Sequence, residues 1–181
     1  MASKKKLVYE HLEHGFGPCF DSESKILILG SFPSVKSREI AFYYGHPQNR
    51  FWSILSEVFQ REIGKTIDEK RAFIHDTHLA LYDVIESCDI IGSSDTSIKN
   101  VVTTDILSLI KSSKIDKIIL NGKKAGSLFE RYQLTKIPPS ITYEVLPSTS
   151  PANAAINKSD LCARWKKSLS SLLQSENESI K

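Results

Sequence analysis

The chain has 181 residues, of which 40% are hydrophobic and 25% charged, and its formal net charge is +3. This length favours one domain with a buried core, and the composition excludes the disordered and collagen-like classes. The longest apolar runs fall far short of the roughly 20 residues that cross a bilayer, and none follows the basic N-terminus. We therefore expect a cytoplasmic protein without a membrane or secretory segment, and the small charge excess leaves nucleic-acid binding open.

The cysteines and histidines form no metal or disulfide pattern. Cys19, Cys88 and Cys162 are scattered, odd in number and contain no CxxC pair, which predicts inert thiols in a reducing compartment. The five histidines form no tight ligand cluster, and His75 and His78 fit a surface pair better than a metal site. We expect no metal and no cofactor.

The first half of the chain contains two predicted strands around one predicted helix. Residues 25–30 form an apolar run that ends at a glycine, typical of a strand buried on both faces of a parallel sheet. Apolar residues over 51–59 recur at helical spacing, with Pro47 near the predicted helix start. Residues 79–84 are a weaker strand candidate, and 89–98 are predicted to form the polar loop that follows it.

The second half continues the alternation of strands and helices. Residues 117–122 repeat the buried-strand pattern, and 142–147 form a weaker strand candidate. Helical spacing of apolar residues recurs in three segments: 106–110, 125–132 and 161–173. Ser159 is the predicted N-cap of the last helix.

This alternation predicts a three-layer α/β/α sandwich with a central four-stranded, mostly parallel sheet. We expect a single domain over 1–181, with 1–13 and 174–181 as flexible tails. In such sheets ligands bind beyond the carboxyl ends of the strands. The loops that follow the predicted strands are therefore where a site is expected.

The loop after the first strand differs from the other three, which are small and polar. Its opening sequence, GSFPS at 30–34, is neither GxGxxG nor a Walker A loop, which argues against dinucleotide and nucleoside-triphosphate sites. Phe42, Tyr43 and Tyr44 follow, then His46. Three adjacent aromatic residues cannot all face one core, so we expect at least one to line a binding site.

The motifs in these loops resemble those of the uracil-DNA glycosylase superfamily. GSFPS, an eleven-residue gap and HPQNRFW at 46–52 are similar to the first motif region of its mismatch-specific branch, which reads GINPG and then HPxNRFW. PSTSPAN at 147–153 is similar to the second motif, and Asn121-Gly122 to the segment before it. In their particular form these motifs most resemble the DNA-deoxyinosine glycosylase branch.

The resemblance implies a monofunctional glycosylase of base excision repair that hydrolyses the N-glycosidic bond of deaminated bases. The implied substrate is double-stranded DNA, with hypoxanthine the expected base, and the enzyme is expected to be a monomer that does not cleave the strand. Mismatch-specific relatives keep a catalytic Asn where this sequence has Phe32, and the resemblance implies that Asn49 supplies the amide instead. Their duplex-inserting Leu corresponds to about Ser150, with Pro151 next.

The implied site has two parts beside Asn49. The expected base-binding residues are Ser31, Phe32, Phe42, Tyr43, Tyr44 and His46. The expected DNA-binding residues are Arg50, Lys123, Lys124, Ser148, Ser150 and Asn153.

Structural alternatives exist for most of these residues. Asn49 could cap the following helix, His46 could be a satisfied loop histidine, the basic residues a solvated face and the 148–153 residues ordinary turn chemistry. Asp83 and Asp95 are interpreted as capping or turn residues. Two other functions stay open from the residues: a uracil or mismatch-specific glycosylase, and a non-catalytic α/β module that binds a nucleotide or a protein.

Overall fold

The structure is a computed structural model that describes residues 8–92 and 95–179. Within them the strands are β1 (Glu10–Glu13), β2 (Ile26–Gly30), β3 (Leu79–Asp83), β4 (Ile85–Ile90), β5 (Lys99–Thr103), β6 (Lys117–Asn121) and β7 (Thr142–Leu146). The α-helices are α1 (Val35–Ile40), α2 (Phe51–Phe59), α3 (Ile67–Asp76), α4 (Ile106–Lys111), α5 (Lys123–Tyr132), α6 (Lys158–Ser168) and α7 (Ser170–Ser179). None of these helices is long and apolar enough to cross a membrane.

The predicted four-stranded sheet is confirmed, and all of its pairings are parallel. Its strand order is β3-β2-β6-β7. Every residue of β2 and β3 is buried, as the uninterrupted apolar run of β2 predicts. The sheet and its helices confirm the predicted α/β class, and the carboxyl ends of the four strands bring Gly30, Asp83 and Asn121 to one edge.

The predicted helices over 51–59, 106–110 and 125–132 are present as α2, α4 and α5. The expected helix over 161–173 is two helices, because α6 ends at Ser168 and α7 begins at Ser170. The α6 N-cap is Asn157, not Ser159: Asn157 Oδ1 accepts from the backbone N–H of Asp160 at 2.8 Å. Two helices, α1 and α3, were not predicted because neither has a clear apolar stripe: α1 buries only Ser37, and α3 buries only Phe73 and Ile74.

A second sheet, antiparallel and three-stranded, was not predicted. Its order is β1-β4-β5. It includes Glu10–Glu13, which the sequence placed in a tail, and its strand β4 overlaps the predicted polar loop over 89–98. The division into a single domain stays a prediction. This sheet positions the segment that follows β1: the backbone N–H of His14 donates to Glu86 O of β4 at 2.8 Å, and the His14 side chain lies 2.7 Å from Asp83 at the end of β3.

Candidate active site

A cleft of about 590 Å³ opens at the carboxyl ends of the parallel strands. This volume lies within the range of small-molecule sites in proteins. Its walls are the end of β2, the loop that carries the aromatic residues, the start of α5 and the loop after β7. It brings together all of the predicted site residues except Phe42 and Arg50.

Asn49 lies in this cleft just before α2, with its carbonyl oxygen fully engaged. Oδ1 accepts from the backbone N–H of Phe51 at 2.9 Å and from the Thr149 hydroxyl at 2.9 Å. Because a backbone N–H can only donate, the oxygen must be the atom that faces it. The Nδ2 amino group has no acceptor among the described residues. Asn49 therefore combines the cap-like role, left open from the sequence, with a hydrogen-bond donor for the cleft.

A chain of buried hydrogen bonds holds Asn49 in this orientation. Asn121 Nδ2 donates to Thr149 Oγ1 at 2.9 Å, and Thr149 Oγ1 donates onward to Asn49 Oδ1. The backbone N–H of Thr149 donates to Asn121 Oδ1 at 3.0 Å, which fixes the Asn121 amide as well. Thr149 is fully buried, so these bonds are protected from water. Sequence reasoning did not single out Thr149.

Of the three adjacent aromatic residues, Tyr43 and Tyr44 line the cleft and Phe42 does not. Phe42 is 1% exposed and packs parallel to Trp52 with ring centroids 6.0 Å apart, so the expectation that it binds the base is wrong. Tyr43 is also buried, and its hydroxyl donates to Gly17 O at 2.8 Å. Tyr44 lines the cleft, with its ring stacked on Phe51 at 3.8 Å between centroids.

Tyr44 has an unusual backbone conformation and a buried hydroxyl. Its φ is +52°, a left-handed conformation that is costly for a bulky residue and that concentrates at functional sites. Its hydroxyl is buried near Gly30 and the Asn121 side chain, and no described group meets the geometric criteria for a hydrogen bond with it. Burial, and after it the charge of Asp83, raises the pKa of Tyr44, so the hydroxyl stays protonated and available as a donor.

The remaining predicted base-binding residues also line the cleft. Ser31 and Phe32 are half-buried at its floor, and the guanidinium of Arg38 lies 5.6 Å from the Phe32 ring centroid. His46 is exposed, and its Nδ1 accepts from the backbone N–H of Gln48 at 3.2 Å. His46 thus has the local bond of a satisfied loop histidine while its ring borders the cleft. Arg38 is a cleft residue that sequence reasoning missed.

Arg50 does not have the free guanidinium that a phosphate contact requires. Its Nη1 donates to Ile156 O at 2.7 Å and its Nη2 donates to Asn153 O at 2.8 Å. Both acceptors are main-chain carbonyls of the loop after β7, and Nε is buried. The DNA-binding expectation for Arg50 is therefore replaced by a structural one, in which Arg50 clamps this loop onto the start of α2.

The predicted DNA-binding residues of that loop are partly used in folding it. Ser148 Oγ and Ser150 Oγ each accept a backbone N–H two residues ahead, at 3.1 and 3.2 Å, and Asn153 Nδ2 donates to Ser148 O at 3.0 Å. The turn chemistry considered from the sequence is present, and each serine hydroxyl keeps its own hydrogen for a ligand. Pro151, expected near the wedge position, is exposed at the cleft.

Lys123 and Lys124 begin α5 at the cleft, and no acidic residue lies in that first turn. The helix starts after Gly122, whose φ of +106° favours glycine and whose added Cβ would lie 2.9 Å from Ser148 Cβ. This close approach brings the lysines, the first amides of α5 and the 148–153 loop together. Such a helix start, with two cations, suits a phosphate.

The cleft also contains an acidic residue that was predicted to be a cap or turn residue. Asp83 ends β3, and its Oδ2 lies 2.7 Å from Nε2 of the buried His14. The signal that could have found Asp83 is its place at the carboxyl end of a predicted strand. Asp95, interpreted in the same way, lies in a short 3₁₀ helix before β5.

The comparisons with known proteins match this architecture. The family model described as the uracil DNA glycosylase superfamily matches residues 17–173. The chain belongs to that superfamily. The matched range includes the 30–34 and 46–52 motifs and the 147–153 loop, so the resemblance drawn from them is confirmed. With it the prediction of a DNA glycosylase, a hydrolase, is confirmed for this superfamily member.

Individual relatives cover most of the chain. Proteins of Methanosarcina acetivorans and Methanosarcina barkeri, both named hypoxanthine DNA glycosylase, are each 31% identical over 81% of this chain and 92% of their own length. A solution NMR structure from Methanosarcina acetivorans, described as a candidate uracil DNA glycosylase, superposes with a TM-score of 0.75 at 29% identity. It covers 87% of this chain and 96% of that one.

Proposed function

We propose that this superfamily member releases hypoxanthine from deoxyinosine in double-stranded DNA, as a monomeric, cytoplasmic and monofunctional glycosylase of base excision repair. The observation that carries the proposal is the state of Asn49, whose oxygen is bound within the protein and whose amino group is left for the cleft. The two relatives named hypoxanthine DNA glycosylase support the choice of base.

A fixed donor in the pocket distinguishes deaminated bases by their chemistry. Deamination replaces an amino group, which donates, with a carbonyl oxygen, which accepts. The Nδ2 of Asn49 can donate to O6 of hypoxanthine, whereas the N6 amino group of adenine would face it donor to donor. A site that hydrogen-bonds its substrate rejects an analogue that leaves buried polar groups unpaired.

The same hydrogen bond assists the reaction. When the glycosidic bond breaks, its electron pair leaves with the purine, and negative charge develops on the base oxygen and nitrogens. A hydrogen-bond donor held in position stabilises that charge more than it stabilises the neutral base. Because Oδ1 of Asn49 is occupied by Phe51 and Thr149, the amide acts on the leaving base and does not accept a proton from water.

The cleft provides the other requirements for a flipped base. Extruding a nucleotide costs a few kcal/mol, least for a mispaired base, and stacking on an aromatic ring returns about 1–3 kcal/mol. Tyr44 and Phe32, both partly accessible in the cleft, are the stacking candidates. Lys123 and Lys124 are suited to the phosphates beside the flipped nucleotide.

A uracil glycosylase is the second candidate, because O4 of uracil is also an acceptor created by deamination. The experiment is base release from duplexes that contain one inosine, uracil or xanthine, in EDTA, with analysis before and after alkali. We expect free hypoxanthine and an intact strand that alkali cleaves, with slower release of uracil. Faster release of uracil than of hypoxanthine would favour the second candidate, and no release of any base would refute the proposed function.

A further inference from the structure

A buried carboxylate lies in the cleft without a role in the function proposed above. Asp83 is the last residue of β3 and pairs in register with Gly30, the last residue of β2. It is 4% exposed, and it is the one acidic residue among the described side chains that line the cleft. The basic residues around the cleft, Arg38, Lys123 and Lys124, do not pair with it.

The two oxygens of Asp83 have different surroundings. Oδ2 lies 2.7 Å from Nε2 of His14, whereas Oδ1 has no donor among the described residues. Oδ1 lies directly over Gly30, where an added Cβ would clash with it. Glycine at position 30 is what leaves room for this oxygen at the cleft floor.

His14 is built to hold the carboxylate in one orientation. The imidazole is fully buried and packs against the rings of Phe16 and Tyr82, at 4.3 and 5.4 Å between centroids. Its Nδ1 is buried with no hydrogen-bond partner. Since a proton on Nδ1 would have no acceptor, the geometry assigns the ring proton to Nε2, which donates to Asp83 Oδ2.

The oxygen of Asp83 that His14 does not hold remains accessible from the cleft. A carboxylate with little exposed surface needs compensating donors, and among the described residues only Oδ2 has one, whereas Oδ1 is not fully buried. An anionic oxygen that is kept unpaired at the floor of a cleft is suited to positive charge or to a polarised O–H that arrives with the substrate. In glycosidic hydrolysis both develop at the sugar carbon C1′.

We propose that Asp83 is the carboxylate that acts on C1′ in this reaction, and that His14 is its positioning residue. The C1′–N9 bond breaks with its electron pair leaving on the purine, and Asp83 Oδ1 stabilises the cationic sugar. The oxygen of water then bonds to C1′ while one of its protons passes to Asp83. That proton is released to solvent, and the purine anion takes up a proton, so the products are hypoxanthine and an abasic site.

The inference rests on the proposed glycosylase function and adds a residue to it. Asn49 would serve the leaving base, and Asp83 the sugar and the water. Because the sugar chemistry is common to every deaminated nucleotide, loss of Asp83 should slow the release of hypoxanthine and uracil by similar factors. Loss of Asn49, which touches the base, should affect the two bases unequally.

The test compares Asp83→Asn with a matched control in the same chain. His11 and Asp89 form a second histidine–aspartate pair, with Nδ1 2.8 Å from Oδ1, on β1 and β4 outside the cleft. For Asp83→Asn, Asp89→Asn and the wild type we would measure single-turnover release of hypoxanthine. For the same three proteins we would also measure the thermal midpoint and the affinity for a duplex that contains the uncleavable 2′-fluoro-deoxyinosine.

We expect Asp83→Asn to slow base release by a hundredfold or more with affinity changed less than about threefold, and Asp89→Asn to keep the wild-type rate. Near-normal turnover by a folded Asp83→Asn protein would overturn the assignment to Asp83 while leaving the proposed function intact. A wild-type protein that releases no base would overturn both.

Two further variants keep the test decisive if Asp83→Asn fails to fold. Gly30→Ala places a methyl group against Oδ1 and displaces the carboxylate without removing its charge, so it should cause a comparable loss of rate. His14→Gln keeps a donor near Asp83 and should retain more activity than His14→Phe, which keeps an aromatic ring without one. Wild-type rates in Gly30→Ala and equal rates in both His14 variants would overturn the proposal.

Discussion

Asn49 is where a structural role and a chemical role can be separated within one side chain. Replacing it with Ala removes the acceptor of the Phe51 N–H and of the Thr149 hydroxyl, both at 2.9 Å. At about 1 kcal/mol for each hydrogen bond, the free energy of unfolding should fall by about 2 kcal/mol. For a chain of this size that corresponds to a thermal midpoint lower by roughly 4–8 °C.

Asn49→Asp removes the donor and adds a negative charge. Its carboxylate has the same shape and keeps both acceptor bonds, so the free energy of unfolding at neutral pH should stay close to that of the wild type. Its second oxygen replaces Nδ2 in the cleft and would face a base oxygen acceptor to acceptor. We therefore expect base release from inosine duplexes to be slowed a hundredfold or more in both variants, about 2.7 kcal/mol or greater in the barrier.

The assay is single-turnover release of hypoxanthine at saturating enzyme, with the thermal midpoint measured on the same preparations. The expected pattern is a matched loss of rate in the two variants and a loss of stability in Asn49→Ala alone. A stable Asn49→Asp protein with nearly the wild-type rate would refute the donor role. If Asn49→Ala alone lost activity, and only in proportion to its unfolded fraction, Asn49 would be a structural residue.

Three other predictions follow from cleft contacts. Lys123→Ala and Lys124→Ala should each weaken binding to damaged and undamaged duplexes alike and reduce the salt slope by about 0.9, whereas Lys111→Ala should leave the slope unchanged. Arg50→Ala should lower the thermal midpoint because two hydrogen bonds to main-chain carbonyls are lost, and the salt dependence of DNA binding should not change. A smaller salt slope would show that Arg50 contacts a phosphate after all. Tyr44→Phe removes a buried hydroxyl that has no hydrogen bond of good geometry, so the free energy of unfolding should stay the same or rise. Base release should slow about tenfold, and an unchanged rate would exclude the hydroxyl from the site.

The central sheet was predictable because its strands carry a simple signal. Strands buried on both faces read as apolar runs, and β2 and β6 are the clearest examples in the chain. The second sheet has no such signal, since β1, over Glu10–Glu13, is mostly exposed and β5 mixes Lys99 and Asn100 with valines. Short strands of mixed polarity depend on their pairing partners, which a sequence does not specify.

The site was predictable in its location and less so in its roles. Periodicity predicts that at least one of the three adjacent aromatic residues reaches the cleft, but it does not indicate that Tyr43 and Tyr44 do so while Phe42 packs in the core. Arg50 could be read from the sequence as a phosphate ligand because its carbonyl partners lie about 100 residues away. Asp83 looked like a turn residue for the same reason, since its partner His14 lies 69 positions earlier.

Phe32 occupies the position at which mismatch-specific relatives have a catalytic Asn, and it lies beside His14, the partner of Asp83. Its ring lies edge-on to the His14 ring at 6.4 Å, and Arg38 lies on it from another side. An aromatic side chain here helps to keep water away from the bond between His14 and Asp83, which a small polar side chain at position 32 would not do. With Phe32 at this position, the two cleft residues to which we assign chemical roles are Asp83 at the end of β3 and Asn49 before α2.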